Sequence, residues 1–247
     1  MKKHESPEFY FSSSVILLPL AILLLMWLVF YFERKYNIDL LVYGIFPRTF
    51  SGLIGVLASP FLHGDIDHLL NNSLAIAVLL AALRFFYRPI CYKIVFFGII
   101  FSGILTWTIG RETYHIGGSG LVYVLASFIF FKGLQSKNYR LVALSFAIIL
   151  VYGGMIWFIF PDVQQGISWE SHLSGFFVGM FFTKIFAVTF FQENYKYDWQ
   201  KPDYDSTKDE FISYFDASGN FQNNPQVVRT YSYFTSNIDV IYTISKD

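Results

Sequence analysis

The sequence predicts an all-α polytopic membrane protein, a bundle of six transmembrane helices with its N- and C-termini cytoplasmic. Three observations carry this. Of 247 residues, 54% are hydrophobic and only 15% are charged, where a soluble domain carries about 25% charged residues. The mean hydropathy is +0.45. The charges cluster between long apolar runs, as repeated bilayer crossings require.

The first run, Ser12 to Phe32, follows Lys2 and Lys3. A cleaved signal peptide has an apolar core of about 7–15 residues ending in small side chains. This run is longer and ends Phe30-Tyr31-Phe32-Glu33-Arg34-Lys35, so it is read as a retained span. A membrane helix needs roughly 20 mostly apolar residues. Six stretches meet that demand, at about 12–32, 66–86, 90–110, 119–136, 140–160 and 171–191. The fourth is short, and its Gly-rich start points to one end buried in protein instead of lipid. The chain thus divides into a cytoplasmic segment 1–11, a membrane domain 12–191, and a polar cytoplasmic tail 192–247 whose role is not legible. The loop 33–65 is too broken by Pro and Gly to span, yet aromatic enough to lie in the interface.

Lys and Arg in short loops set the orientation. With the N-terminus inside, the cytoplasmic side holds Lys2, Lys3, Arg84, Arg88, Lys93, Lys132, Lys137, Arg140 and Lys184; the outer side holds Arg34, Lys35, Arg48 and Arg111. Asp162 and Glu170 carry little weight in this rule. The formal net charge is zero, which gives no ground for a nucleic-acid partner. A single cysteine, Cys91, excludes an intrachain disulfide and a thiolate-rich metal site. No internal repeat is present, which weakens a transporter reading.

Polar residues inside a membrane are expensive and therefore mark function. Three inward-running spans open with such residues. The second opens Asp65-Ile66-Asp67-His68 and continues to Asn72; the fourth opens Gly117-Gly118-Ser119-Gly120; the sixth opens Glu170-Ser171-His172. One Ser, two His and one Asn therefore converge near the outer face. Ser119 at a helix N-terminus lies beside unpaired N–H groups that can hold an oxyanion. Glycines beside it let a substrate backbone approach, although glycine-flanked serines also serve as helix-packing residues. His172 offers an imidazole suited to take the serine proton, or else an interhelical hydrogen bond. Gly175 and Gly179 form a Gly-x-x-x-Gly pair that would bring two helices close; if the neighbour is the fourth span, Ser119 and His172 meet.

Tyr123, one turn after Ser119, is placed to pack on the His172 ring or simply in the core. His68 and Asn72 share a helical face and can donate to an oxyanion or clamp two helices. Asp65 or Asp67 is read as a cap of the second span. His63 is read as binding substrate or fixing its loop, the second ranked first. Arg111 and His115 are read as loop or headgroup contacts. The histidines lack a His-Glu-x-x-His pattern, so no metal and no cofactor are expected.

Gly117-Gly118-Ser119-Gly120-Leu121-Val122-Tyr123 resembles the Gly-x-Ser-Gly segment of rhomboid intramembrane serine proteases. His68-x-x-x-Asn72 is similar to the family's second-span pair, His63 matches a further family histidine, and His172-x-x-Gly175-x-x-x-Gly179 is similar to its sixth span. Pro47-Arg48 falls where the family carries an Arg-containing first loop. The resemblance implies a six-helix fold with a cavity open to the outer side. It implies a serine endopeptidase that hydrolyses peptide bonds in or near transmembrane segments of other membrane proteins. Ser119 would be the nucleophile, and His172 the base and then the acid. The oxyanion would be held by His68, Asn72 and the Ser119 N–H, with no third acid. The expected partners are transmembrane protein substrates and the lipid bilayer. The expected location is the plasma (inner) membrane of a bacterium. The alternative is a catalytically silent rhomboid-like protein that binds membrane clients.

Overall fold

The computed structural model describes residues 9–136, 138–161, 163–164, 166–187, 197–206, 209, 211–216 and 218–222. The described residues are helical throughout, apart from turns and two isolated β-bridges. Among the described residues seven α-helices follow in order: α1 Ser14–Tyr36, the single turn α2 Gly55–Ala58, α3 Ile66–Phe86, α4 Cys91–Ile109, α5 Ser119–Leu134, α6 Tyr139–Tyr152 and α7 Trp169–Ile185. Two units are distinguished, 1–192 and 193–247.

Among the described residues, four helical stretches in the first unit are long and apolar enough to cross a membrane: Ser14–Tyr36, Ile66–Phe86, Arg88–Ile109 and Tyr139–Ile159. At 16 and 17 residues, α5 and α7 fall short of that length. The stretch expected over 140–160 is α-helical only to Tyr152 and continues as a 3-10 helix over Gly153–Ile159. The Gly153-Gly154 pair weakens the α-helix at that point. The stretch expected over 171–191 begins two residues earlier, at Trp169, because Ser168 caps the helix by accepting the Ser171 N–H. Positions 188–191 of that expected span and 1–8 of the N-terminal segment lie outside the described residues, as does much of the tail.

Sequence logic accounts for the main helix ends. Asp65 caps α3 by accepting the His68 N–H at 2.7 Å. Asn37 ends α1 in a left-handed conformation, its N–H on Glu33 O. Gly110 is extended and stops α4. The loop between α1 and α3 does not span. It is a chain of short turns, Leu41–Tyr43, Ser51–Leu53, α2 and Ser59–Phe61, with Phe50 93% exposed.

α5 is the centre of the unit, in contact with α3, α4, α6 and α7. Its interior is apolar almost all round (Leu121, Val122, Val124, Leu125, Phe128 and Ile129 are each at most 3% exposed), as a helix enclosed by others must be. Its most extensive contact is with α7. Gly175 and Gly179 make that contact possible. A Cβ on Gly175 would lie 2.2 Å from Gly120 O, and one on Gly179 would lie 2.3 Å from Val124 O. Backbone meets backbone here, and no methyl group fits. Lys132, counted among the charges of the cytoplasmic side and within the span read at 119–136, is buried in the last turn of α5. Its Nζ donates to Thr183 O at 2.7 Å and satisfies a carbonyl at the end of α7.

In the second unit, short 3-10 turns at Asp198–Gln200 and Ile212–Tyr214 are followed by an isolated bridge between Phe215 and Phe221. Asp216 closes that bridge's loop by accepting the Ser218 and Asn220 N–H groups.

Gly179→Ala is expected to cost about 1–3 kcal/mol through overpacking against the α5 backbone. Gly154→Ala, with nothing within 4 Å of its Cβ position, should change stability by less than about 0.5 kcal/mol. Thermal unfolding of both variants in detergent checks the pair; equal midpoints would contradict the close helix contact.

Candidate active site

Ser119 is the first residue of α5, and Gly118 before it supplies no side-chain cap. The first turn of α5 holds no acidic residue, so its positive dipole end is not neutralised from within. His172 stands one turn into α7. Its Nε2 lies 3.0 Å from Ser119 Oγ. Its Nδ1 lies 3.0 Å from Phe158 O in the 3-10 helix Gly153–Ile159. A carbonyl only accepts, so Nδ1 carries the proton and Nε2 is left with the lone pair that faces Ser119. The imidazole also stacks on Tyr123, with ring centroids 4.4 Å apart and planes at 15°. Tyr123 is held in turn, its hydroxyl donating to Met155 O at 2.6 Å. The same 3-10 helix thus anchors the ring through one carbonyl and its aromatic support through another.

Gly117 has φ +109°, a conformation that favours glycine, and a Cβ there would lie 2.5 Å from His68 Nε2 and 3.3 Å from Asn72 Nδ2. The helix face of α3 bearing His68 and Asn72 therefore closes on the backbone just before Ser119. Asn72 Nδ2 is buried and donates to no protein group. Such a donor calls for an acceptor that arrives later or for another role. His63 is 1% exposed; its Nε2 faces the Gly118 N–H at 3.4 Å and its ring meets His68 edge-on at 5.0 Å. It thereby meets the backbone one residue before Ser119. Burial, helped by the neighbouring His68, pulls the His63 imidazole down from 6.5 to about 4. Among the described residues, no cluster of His, Cys, Asp or Glu is arranged to hold a metal ion.

The structure brings Ser119, His172, His68, Asn72, Tyr123, His63, Gly117, Gly118, Gly120 and Gly175 to one end of the bundle. Gly179 lies one turn further along α7, against Val124 and Ser127. Two groups near the site are not singled out by the sequence, the Phe158 carbonyl and Glu170. The Phe158 carbonyl is a backbone group, and no residue type announces it. Glu170 was visible as an acid at the mouth of an apolar run, but the orientation rule gives acids no weight. Arg111 and His115, expected as loop or headgroup contacts, make loop contacts: Arg111 reaches Ile167 O and Glu170, and His115, 2% exposed, reaches Ser168.

An all-helical unit with several helices of bilayer length defines a multi-pass membrane protein. A profile of the Rhomboid domain matches residues 51–188, more than half of the chain, and the chain belongs to the rhomboid family. An uncharacterized protein of Mycobacterium tuberculosis (strain H37Rv) is 32% identical over 171 residues, 65% of this chain and 70% of the relative; one from Mycobacterium bovis matches to the same extent. An uncharacterized protein of Mycobacterium leprae is 31% identical over 139 residues, 52% of this chain and 54% of the relative.

The low affinity of His63 for a proton gives a pH prediction. Unfolded, it takes up a proton near 6.5; folded, only near 4. Between those values the unfolded chain binds more protons, so stability contributed by this group falls as pH drops from 6.5 towards 4 and levels off below. In His63→Asn the drop in unfolding midpoint between about pH 7.5 and pH 4.5 should be smaller than in the wild type. An identical drop in both would contradict a buried neutral His63.

Proposed function

We propose that this protein is an intramembrane serine endopeptidase that cuts transmembrane segments of other membrane proteins with a Ser119–His172 dyad. The observation that carries the reading is the 3.0 Å contact between Ser119 Oγ and an imidazole nitrogen whose lone pair is fixed by the Phe158 carbonyl. Membership of a family of membrane proteases supports it.

The reaction follows from that geometry. Ser119 Oγ attacks the scissile carbonyl while His172 Nε2 takes the hydroxyl proton, and the carbonyl electrons move onto oxygen. The oxyanion is held by the Ser119 N–H at the head of α5, by Asn72 Nδ2 and by His68. The carbonyl reforms as the C–N bond breaks, and His172 returns its proton to the leaving amine. A water then attacks the ester with His172 again as base, releasing the new carboxyl end and restoring Ser119. The Phe158 carbonyl and the Tyr123 ring keep the imidazole aligned throughout. An acid in the usual third position is not required for this orienting role.

Burial in the membrane follows from helix lengths. With 16 residues α5 is about 24 Å long, less than the roughly 30 Å of a bilayer's hydrocarbon. A short central helix leaves Ser119 recessed, and the space above it must be filled by loops and water. In this reading α1, α3, α4, α5, α6 with its 3-10 extension, and α7 are the six spans. Both termini face the cytoplasm and the site opens to the outer side of a bacterial plasma membrane. A substrate helix hides its carbonyls in i to i+4 bonds, so it must unwind locally before Ser119 can reach one. Segments with Gly or Pro near the cut are the suited substrates.

Purified protein is incubated in detergent with a panel of Gly- or Pro-interrupted transmembrane substrates, beside Ser119→Ala, His172→Ala and Asn72→Ala. The wild type should cut, the first two should not, and Asn72→Ala should lose about 10²–10³-fold in kcat. Equal product from all four would mean another nucleophile. No product from the folded wild type across the panel would favour a client-binding role.

A further inference from the structure

A buried polar cluster joins the first turn of α7 to the loop 110–118 that leads into Ser119, and the acyl-transfer scheme leaves it unused. Its centre is the Glu170 carboxylate, 0% exposed. Oε1 accepts the Arg111 backbone N–H at 3.2 Å and lies 3.1 Å from Arg111 Nε. The Arg111 guanidinium reaches on to Ile167 O, just ahead of the helix. His115 completes the cluster. Its Nε2 meets Arg111 O at 3.0 Å and its Nδ1 meets Ser168 Oγ at 2.6 Å. Glu170 Oε2 has no hydrogen-bond partner, and His115 Nδ1 stands 3.9 Å from it.

A buried carboxylate is costly, and one paired with a half-exposed arginine adds little stability over a well-packed apolar side chain. Its placement matters more. Gly175 and Gly179 fix the axes of α5 and α7 against each other. They do not fix the turns above them, where Ser119 follows two glycines and His172 stands two residues after Glu170. There the two strands of chain are stapled by Arg111, His115, Ser168 and Glu170. His115 also bridges Ile45 of the first loop through both its N–H and its carbonyl. His115 and Glu170 thus join three segments, the first loop at His115 and the other two at the acid.

We propose that Glu170 is a positioning residue: by holding Arg111 it locks the loop that delivers Ser119 onto the turn that carries His172, and so sets the distance between Ser119 Oγ and His172 Nε2. The inference rests on the protease reading above. A displacement of about 1 Å between reacting groups can cost about 10²-fold in rate. Glu170 is 0% exposed and out of a substrate's reach, so the loss belongs in kcat and not in KM.

The test is steady-state cleavage of one transmembrane substrate by the full chain in detergent, with Glu170→Gln and Arg111→Gln beside the wild type. Each variant is first checked for a cooperative unfolding transition. Glu170→Gln should lower kcat by about tenfold or more, with KM within about twofold of wild type. Arg111→Gln keeps the backbone N–H bond and should show a smaller loss of the same kind. If Glu170→Gln does not fold, Arg111→Gln decides by the same criterion, since its side chain is half exposed. Folded variants with kcat within about twofold of wild type, or with the loss confined to KM, overturn the inference alone. A wild type that cuts nothing overturns the protease reading, and this inference with it.

Discussion

The backbone contact between α5 and α7 is the constraint on which the rest depends. Ser119 and His172 are 53 residues apart in sequence and sit on different helices. A side-chain hydrogen bond of 3.0 Å between them requires the helices to approach more closely than ordinary side chains allow. Gly175 against Gly120 O and Gly179 against Val124 O provide that approach. In a bilayer there is no hydrophobic drive between helices, and such packing has to come from surface fit. The same glycines therefore act as structural residues and as the precondition of the site. Ser102, Ser127 and Thr106, which return their hydroxyls to carbonyls of their own helices, keep the surrounding faces small without leaving buried polar groups unmet.

Orientation is then supplied by groups that carry no charge. The Phe158 carbonyl fixes the tautomer of His172, and Tyr123 fixes its plane. Both trace to the 3-10 helix Gly153–Ile159, whose carbonyls at Met155 and Phe158 point back at the site. A carbonyl dipole in a weakly screened interior holds an imidazole without the desolvation cost of burying another acid beside it. Glu170, the one buried acid among the described residues, binds the loop instead of the ring. Division of labour between a neutral acceptor at the imidazole and a charged clamp at the loop follows from where each group can be satisfied.

Much of this was legible in the sequence because the bilayer limits the choices. Apolar runs of about 20 residues admit few structures but helices, and the bounds read for 66–86 coincide with α3. Polar residues stand out against apolar spans, so Ser119, His172, His68 and Asn72 stand out as candidates by type and position. The Gly-x-x-x-Gly pair announces a close helix contact, and the structure supplies α5 as the neighbour. Other features were hidden for physical reasons. The break at Gly153 changes hydrogen bonding but not hydropathy, so the run looked like one continuous helix. Lys132 counts in the sequence only as a charge of the cytoplasmic side, whereas its long stem lets the ammonium reach Thr183 O and cap α7. The partners of Glu170 come from a loop whose path no local pattern records.

The most direct test of the central claim is covalent labelling of the intact protein with a fluorophosphonate, followed by peptide mapping. An activated serine displaces fluoride and keeps the phosphonyl group, whereas an ordinary serine does not react. The account predicts one adduct, on Ser119, formed by the wild type and absent when His172 is replaced by alanine in a folded protein. An adduct on Ser119 that forms equally fast without His172, or a folded wild type that takes up none, would contradict it.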